Sequence, residues 1–183
     1  MNIFVTDKDP VVAAQNQCDK LLIKMILEQA QLLCTAHRML AGQEYSDVIS
    51  GHRKTAWILH DIVADSVLYR ATHHNHPCSM WIRASDDNYK WGYQHFVAMC
   101  DEYTHRYNKV HKSDTRLRQI LADFPNAITL GPLVKFVKCM GASPESLAIE
   151  DPIEAYRHFY QTKQTRFKMI WTNREKPEWF KTQ

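Results

Sequence analysis

The most constraining feature of this sequence is residues 19–40, DKLLIKMILEQAQLLCTAHRML, which run for 22 residues without Gly or Pro. The stretch is rich in residues of high helix propensity, and its apolar positions recur at helical spacing. One broad side of such a helix can be buried. The apolar positions are Leu21, Leu22, Met25, Ile26, Leu32 and Leu33. We predict a long N-terminal helix with the rest of the chain packed around it.

A row of charged residues lies beside this apolar side. Lys20, Lys24 and Glu28 are each four residues apart, which places two ammonium groups and one carboxylate along one edge of the helix. Such rows are common on solvated helix surfaces, where each pair contributes only about 0.3–0.5 kcal/mol. The alternative is a catalytic carboxylate beside two phosphate-binding lysines. The spacing alone does not decide between the two.

The scarcity of glycine favours helices. The 183 residues include only five glycines, whereas sandwiches made of strands usually need more at their turns. The length fits one domain with a sizeable core. We therefore predict an all-α fold, a compact single-domain helical bundle over residues 1–183, built around the long N-terminal helix.

Capping residues followed by proline or by acidic residues mark the starts of further helices. They predict helices that begin at Pro10, Pro77, Asp86, Ser113 and Pro152. Residues 43–51 are predicted to be a connection and residues 52–69 a helix. Residues 125–143 hold two prolines and two glycines, so we expect irregular structure there, with a short helix at 133–139.

The composition and the chain start bear on location and partners. No apolar run approaches the ~18 residues that span a bilayer, and MNIFVTDKDP has no secretory pattern, so we expect a cytoplasmic protein without a membrane partner. A net charge of +3 with ten histidines is compatible with a polyanionic partner. The sequence does not indicate an oligomeric state.

Two polar clusters suggest chemistry. The segment THHNHPC crowds His73, His74, His76 and Cys78 into one loop but lacks the second ligand pair that a zinc site needs, so we expect neither a metal nor another cofactor. The segment YTHRYNKVHK, residues 103–112, interleaves aromatic and basic residues. It suits either stacking on bases with cations on phosphates, or a solvated helix end.

Two segments resemble the pyrimidine-dimer DNA glycosylases of phages and bacteria. They are MNIF followed by CDKLLIKMILEQAQLL, and NHPCSMWIRASDDNYKWGYQHFVAMCDEYTHR. The shared features are a chain start that leads almost directly into a long helix, a glutamate inside that helix, and an Asn-His-Pro that opens an aromatic-rich helix. The resemblance covers about residues 1–112.

The resemblance implies a compact helical fold and a particular site. In that family the N-terminal amine attacks the sugar C1′ and forms a Schiff base, while a helix carboxylate stabilises the cationic sugar; the base is flipped out of the duplex. By position, Glu28 is the carboxylate, and Met1 and Asn2 form the chain start. Because Asn2 is too bulky for methionine removal, the amine is that of Met1 or the amine chemistry is absent.

We therefore expect a DNA glycosylase-type enzyme that excises or modifies a damaged or modified pyrimidine, with double-stranded DNA as partner. The expected phosphate or sugar contacts are Lys20, Lys24, His76, Arg83, Arg106 and Lys109. One alternative is an enzyme of phage DNA hypermodification that acts on a nucleotide or a modified base. Another is a non-catalytic nucleic-acid or nucleotide binder with an anti-defence role. The sequence does not indicate which base is recognised or whether strand cleavage follows.

Overall fold

A computed structural model describes residues 1–49 and 51–182, apart from the side chain of Ile49. Helices dominate it. In chain order the elements are α1 Pro10–Gln15, α2 Asp19–Ala41, β1 Gly42–Ile49, β2 His52–Leu59, α3 Ile62–Val67, α4 Pro77–Ile82, α5 Asp86–Tyr107, α6 Lys112–Leu117, α7 Pro144–Ala148 and α8 Pro152–Gln161. Short 3₁₀ turns follow α6 and α8 at Ile120–Ala122 and Thr162–Thr165.

The prediction of an all-α fold is wrong, because residues 42–59 form an antiparallel hairpin. Strands β1 and β2 pair from Gly42 with Leu59 to Ile49 with His52, where we had predicted a connection and a helix. Gly51 has φ +77°, a conformation that glycine adopts without strain, next to the end of the ladder. Trp57 and other β-branched or aromatic residues in this stretch suit strands better than a helix. Only α3 remains of the helix predicted over residues 52–69.

The helix starts at Pro10, Pro77, Asp86 and Pro152 are confirmed. Their caps act as expected, since the side chains of the residues before them accept hydrogen bonds from the first free backbone N–H groups. The Asp9 carboxylate, for example, accepts from the Val11 N–H at 2.7 Å. The short helix predicted at 133–139 is not formed, and those residues are irregular as in the rest of 124–143.

The long helix α2 is the centre of the core, as its pattern predicted. Its six apolar positions are all buried in the main hydrophobic core, where α2 contacts α4 and α5. Gly92 allows α5 to approach α2 closely, because a Cβ there would collide with Ile82 Cδ1 and lie 3.0 Å from Gln29 Nε2. The Gln29 amide also donates to the Gly92 carbonyl at 3.0 Å. This close packing fixes the side of α2 that faces outward.

The last turn of α2 also holds the base of the hairpin. The buried guanidinium of Arg38 donates to the Trp57 carbonyl at 3.0 Å and forms an ion pair with Asp65 at 2.6 Å. The same group donates to the Leu68 carbonyl at 2.9 Å. The hairpin therefore leaves the body next to the C-terminal end of α2, while most of its residues are exposed.

Candidate active site

A cavity of 370 Å³ lies between the chain start, the first half of α2 and the residues that follow α8. It combines one carboxylate, four cationic side chains and three phenylalanines. Its lining is Met1, Asn2, Phe4, Lys20, Leu21, Lys24, Glu28, Phe159, Lys163, Arg166 and Phe167. Five of the predicted site residues, Glu28, Met1, Asn2, Lys20 and Lys24, therefore meet in one place.

Glu28 joins α2 to the chain start. Its Oε2 atom accepts a hydrogen bond from the Asn2 backbone N–H at 3.0 Å and lies 3.8 Å from the α-amine of Met1. Its Oε1 atom forms an ion pair with Lys24 Nζ at 3.1 Å. The side chain is only 14% exposed. Both carboxylate oxygens are thus oriented by neighbours while one edge still reaches the cavity.

The chain start is held in place by its own side chains. Ile3 and its neighbours up to Val5 are buried in the core. The Asn2 Oδ1 atom accepts hydrogen bonds from the Ile3 N–H at 2.8 Å and from the Tyr156 hydroxyl at 2.9 Å. Asn2 Nδ2 donates to the Cys139 carbonyl at 2.8 Å. Asn2 therefore positions the amine of Met1 next to Glu28.

Aromatic faces support two of the cations in the cavity. Lys20 Nζ lies 4.5 Å from the centre of the Phe167 ring, and Lys163 Nζ lies 3.4 Å from the centre of the Phe159 ring. Such contacts are favourable for a cation over an aromatic face. Sequence reasoning missed Lys163 and Arg166. The only local signal was that Lys163 is a basic residue near the end of a predicted helix. A cation there normally serves to interact favourably with the C-terminal end of the helix dipole.

Lys163 has an unusual environment for a lysine. Burial, together with the positive charges of Arg166 and Lys24, lowers its pKa from 10.5 to about 8. The neutral amine is therefore well populated near pH 8. Between about pH 8 and 10.5 the unfolded chain binds more protons at this residue than the folded chain, so the residue's contribution to the free energy of unfolding rises with pH there.

We predict that Lys163 reacts with acetic anhydride at a rate that rises with pH around a midpoint of about 8. The reaction requires the neutral amine, and burial makes that form accessible at lower pH. Peptide mass spectrometry after brief acetylation measures the rate. Arg166→Gln removes a neighbouring positive charge and should move the midpoint to higher pH. A midpoint near 10.5 in the unmodified chain would contradict the assigned environment.

His76 and Arg83 lie on or next to α4, outside the cavity lining. His76 caps α4, with Nδ1 accepting from the Cys78 N–H at 3.2 Å. Burial lowers the pKa of the His76 ring, the positive α-amine of Met1 lowers it further, and the Glu28 carboxylate partly offsets both. Arg83 Nη1 donates to Ser79 Oγ at 3.0 Å.

The predicted DNA contacts at Arg106 and Lys109 lie outside this lining as well. The Arg106 guanidinium is fully buried and pairs with Glu102 at 2.7 Å and with Asp19 at 2.9 Å. It also donates to the Gln17 carbonyl at 2.8 Å. It is not available for a phosphate contact in this fold. Lys109 is exposed.

A second, larger cleft of 790 Å³ continues along the outer side of α2. It begins at Leu27 and Gln31, which flank Glu28, and reaches the hairpin and the histidine-rich loop. Its basic lining consists of Lys54, Arg70, His73 and His74. Glu28 lines the cavity while Leu27 and Gln31 line this cleft, so neighbouring positions of α2 face both.

No protein-family model, no curated protein and no solved structure matches this chain. The resemblance to the pyrimidine-dimer glycosylases thus rests on the sequence motifs quoted above. Within residues 1–49 and 51–182, none of the helices has the length and apolar character that crossing a bilayer requires.

Proposed function

We propose that the protein is a DNA-acting enzyme of glycosylase type that excises or modifies a damaged or modified pyrimidine base. The observation that carries this proposal is the position of Glu28. Its carboxylate is held by the backbone of Asn2 and by the α-amine of Met1, inside a cavity with four cations. A carboxylate beside an amine, surrounded by phosphate-binding groups, suits chemistry at the C1′ atom of a nucleotide.

The reaction that we propose is cleavage of the bond between C1′ and the base. The bonding electron pair leaves with the base, which takes up a proton, and the sugar becomes an oxocarbenium-like cation. The negative charge of Glu28 stabilises that cation, as carboxylates do in glycoside hydrolysis. Water then adds to C1′ and loses a proton. Partial burial strengthens the stabilisation, because fewer solvent molecules screen the charge.

The distribution of cations favours a polynucleotide. From Lys20 to Gln31, twelve residues of helix cover about 16 Å, and the cavity and the cleft along this stretch are both lined by basic side chains. A single strand carries roughly one phosphate per 3.4 Å of helix axis, so the surface matches several successive nucleotides. The cavity itself, at 370 Å³, suits one flipped nucleotide.

The small cavity also supports a second candidate, an enzyme that acts on a free nucleotide. The rings of Phe159 and Phe167 line the cavity and give it apolar walls that suit a base. In this case the cleft beside Gln31 has no part in substrate binding, and affinity depends on the cations of the cavity alone.

Two amines in the cavity are candidates for a covalent intermediate, the α-amine of Met1 and the Nζ atom of Lys163. The Met1 side chain is only 2% exposed, so it is packed into the protein beside the cavity. We propose that the Glu28-dependent reaction proceeds without an enzyme–sugar imine.

We would test this with a panel of duplexes that carry cyclobutane dimers, uracil or 5-substituted pyrimidines, in parallel with the same bases as free nucleotides. Borohydride is added to trap any imine, and mass spectrometry measures released base and protein adducts. Base release from duplexes without an adduct supports the proposal. Turnover of the nucleotides alone supports the second candidate, and an adduct on the Met1 peptide or at Lys163 contradicts the mechanism without an imine.

A further inference from the structure

A second group of reactive side chains lies next to the chain start and has no role in the proposed reaction. It consists of His76, Cys78 and Cys139, which offer one imidazole nitrogen and two thiol sulfur atoms. These three ligand atoms all lie within 4.8 Å of one another. His76 and Cys78 lie at the start of α4. Cys139 lies in the irregular segment 124–143, 61 positions after Cys78.

The surrounding structure holds the three residues in place. Cys78 is buried in the first turn of α4. The Cys139 backbone is fixed on both sides, since its N–H donates to the Tyr156 hydroxyl at 3.2 Å and its carbonyl accepts from Asn2 Nδ2 at 2.8 Å. Outer contacts of this kind orient the ligands of metal sites and support their affinity.

The ligand set has the chemistry of a zinc site. Thiolate and imidazole ligands favour zinc over the hard cations magnesium and calcium. Two thiolates and one neutral imidazole balance the charge of Zn²⁺, which matters in a region that already holds the amine of Met1. Three protein ligands leave one of the four tetrahedral positions open. Asn2 Oδ1 lies 3.9 Å from Cys78 Sγ, so the three ligands lie next to the chain start.

We propose that His76, Cys78 and Cys139 bind one zinc ion, which links α4 and the segment 124–143 beside the chain start. Either ring nitrogen of His76 can bind the ion, in exchange for the hydrogen bond that Nδ1 accepts from the Cys78 N–H at 3.2 Å. The zinc site does not include Glu28, so the zinc-binding measurements test it independently of the proposed function.

The test uses the full chain, reduced and freed of metal, then dialysed against Zn²⁺. Elemental analysis should find one zinc per chain. Cys139→Ser and His76→Ala should each weaken zinc binding by at least about tenfold, the size of effect that follows the loss of even an outer partner. Two matched controls should bind zinc normally: His73→Asn, which changes a histidine of the same loop, and Cys100→Ala, which changes a buried cysteine outside the cluster.

Two further measurements keep the proposal falsifiable if a variant does not fold. Cobalt(II) added to the unmodified chain should give thiolate-to-cobalt charge-transfer absorption. Zinc should also slow the alkylation of Cys139 by iodoacetamide, and a chelator should restore it. Zinc contents that do not differ between the unmodified chain and Cys139→Ser, or no protection of Cys139 by zinc, would each overturn the proposal.

Discussion

Glu28→Gln should reduce the rate of base release by at least about 100-fold while changing DNA affinity by less than about threefold. The substitution keeps the shape and the hydrogen bond from the Asn2 N–H, which is 3.0 Å long, but removes the negative charge. Charge stabilisation of this kind in a transition state contributes about 2.7–4 kcal/mol. Single-turnover kinetics on the substrate found in the panel, with binding measured by anisotropy, gives both quantities.

The matched control for this experiment is Glu145→Gln. Glu145 is exposed in the first turn of α7 and does not line the cavity around Glu28, so the same change of charge should leave the rate unaltered. If Glu28→Gln retains the full rate, the carboxylate is not catalytic. If neither the unmodified chain nor Glu28→Gln releases or alters any base while both bind DNA, the protein is a non-catalytic binder.

Arg106→Ala should lower the free energy of unfolding by about 3–5 kcal/mol. Loss of one partner from a buried ion pair leaves the other charge without full compensation. Here Glu102 would keep Arg174, at 2.5 Å, and Asp19 would keep the Thr172 hydroxyl at 2.7 Å, so we expect the lower part of this range. For a chain of this length that corresponds to a decrease of roughly 6–12 °C in the melting temperature.

The control is Lys109→Ala, which removes an exposed cation three positions away and should change stability by less than about 0.5 kcal/mol. Both residues are cations of the same basic segment in the sequence, but Arg106 is buried in the structure and Lys109 is exposed. Chemical denaturation of both variants at pH 7 measures the difference. Equal effects of the two substitutions on the free energy of unfolding would show that the buried network around Arg106 does not stabilise the fold.

The same network predicts a dependence on pH. Burial alone would raise the pKa of Glu102, but hydrogen bonds from Arg174 and Arg106 outweigh it and hold the pKa below its usual 4.5. A carboxylate with a lowered pKa in the fold stabilises the protein above its unfolded pKa, and this contribution is lost as the pH falls through the folded value. Arg106→Ala should therefore flatten the loss of stability below about pH 4.5.

The parts of the fold that the sequence predicted are those with strong local signals. The apolar pattern of α2 and the caps at Asp9, Ser85 and Asp151 act over a few residues, so the structure confirms them. The hairpin was missed although Gly51 and the β-branched residues around it were visible, because apolar spacing in residues 52–69 also suits a helix. For short apolar runs, periodicity does not separate strand from helix.

The candidate site shows the same limit. Glu28, Lys20 and Lys24 share one edge of one helix, and that proximity follows from their spacing. Lys163 and Cys139 reach this region only through tertiary packing across more than 100 residues of chain, and no local pattern indicates such contacts. Arg106 looked like a surface cation in a basic segment, but long-range pairing with Asp19 places it in the interior.

The hydrogen bonds of Asn2 have a consequence for how the protein is made. Its side chain contacts residues 137 and 154 positions further along the chain, at Cys139 and Tyr156. The Asn2 side chain therefore lacks these two partners until most of the chain has been translated. Contacts over such separations form slowly and late. During synthesis the apolar segment that begins at Ile3 stays exposed to chaperones, and the cavity around Glu28 is completed only after α8 has emerged.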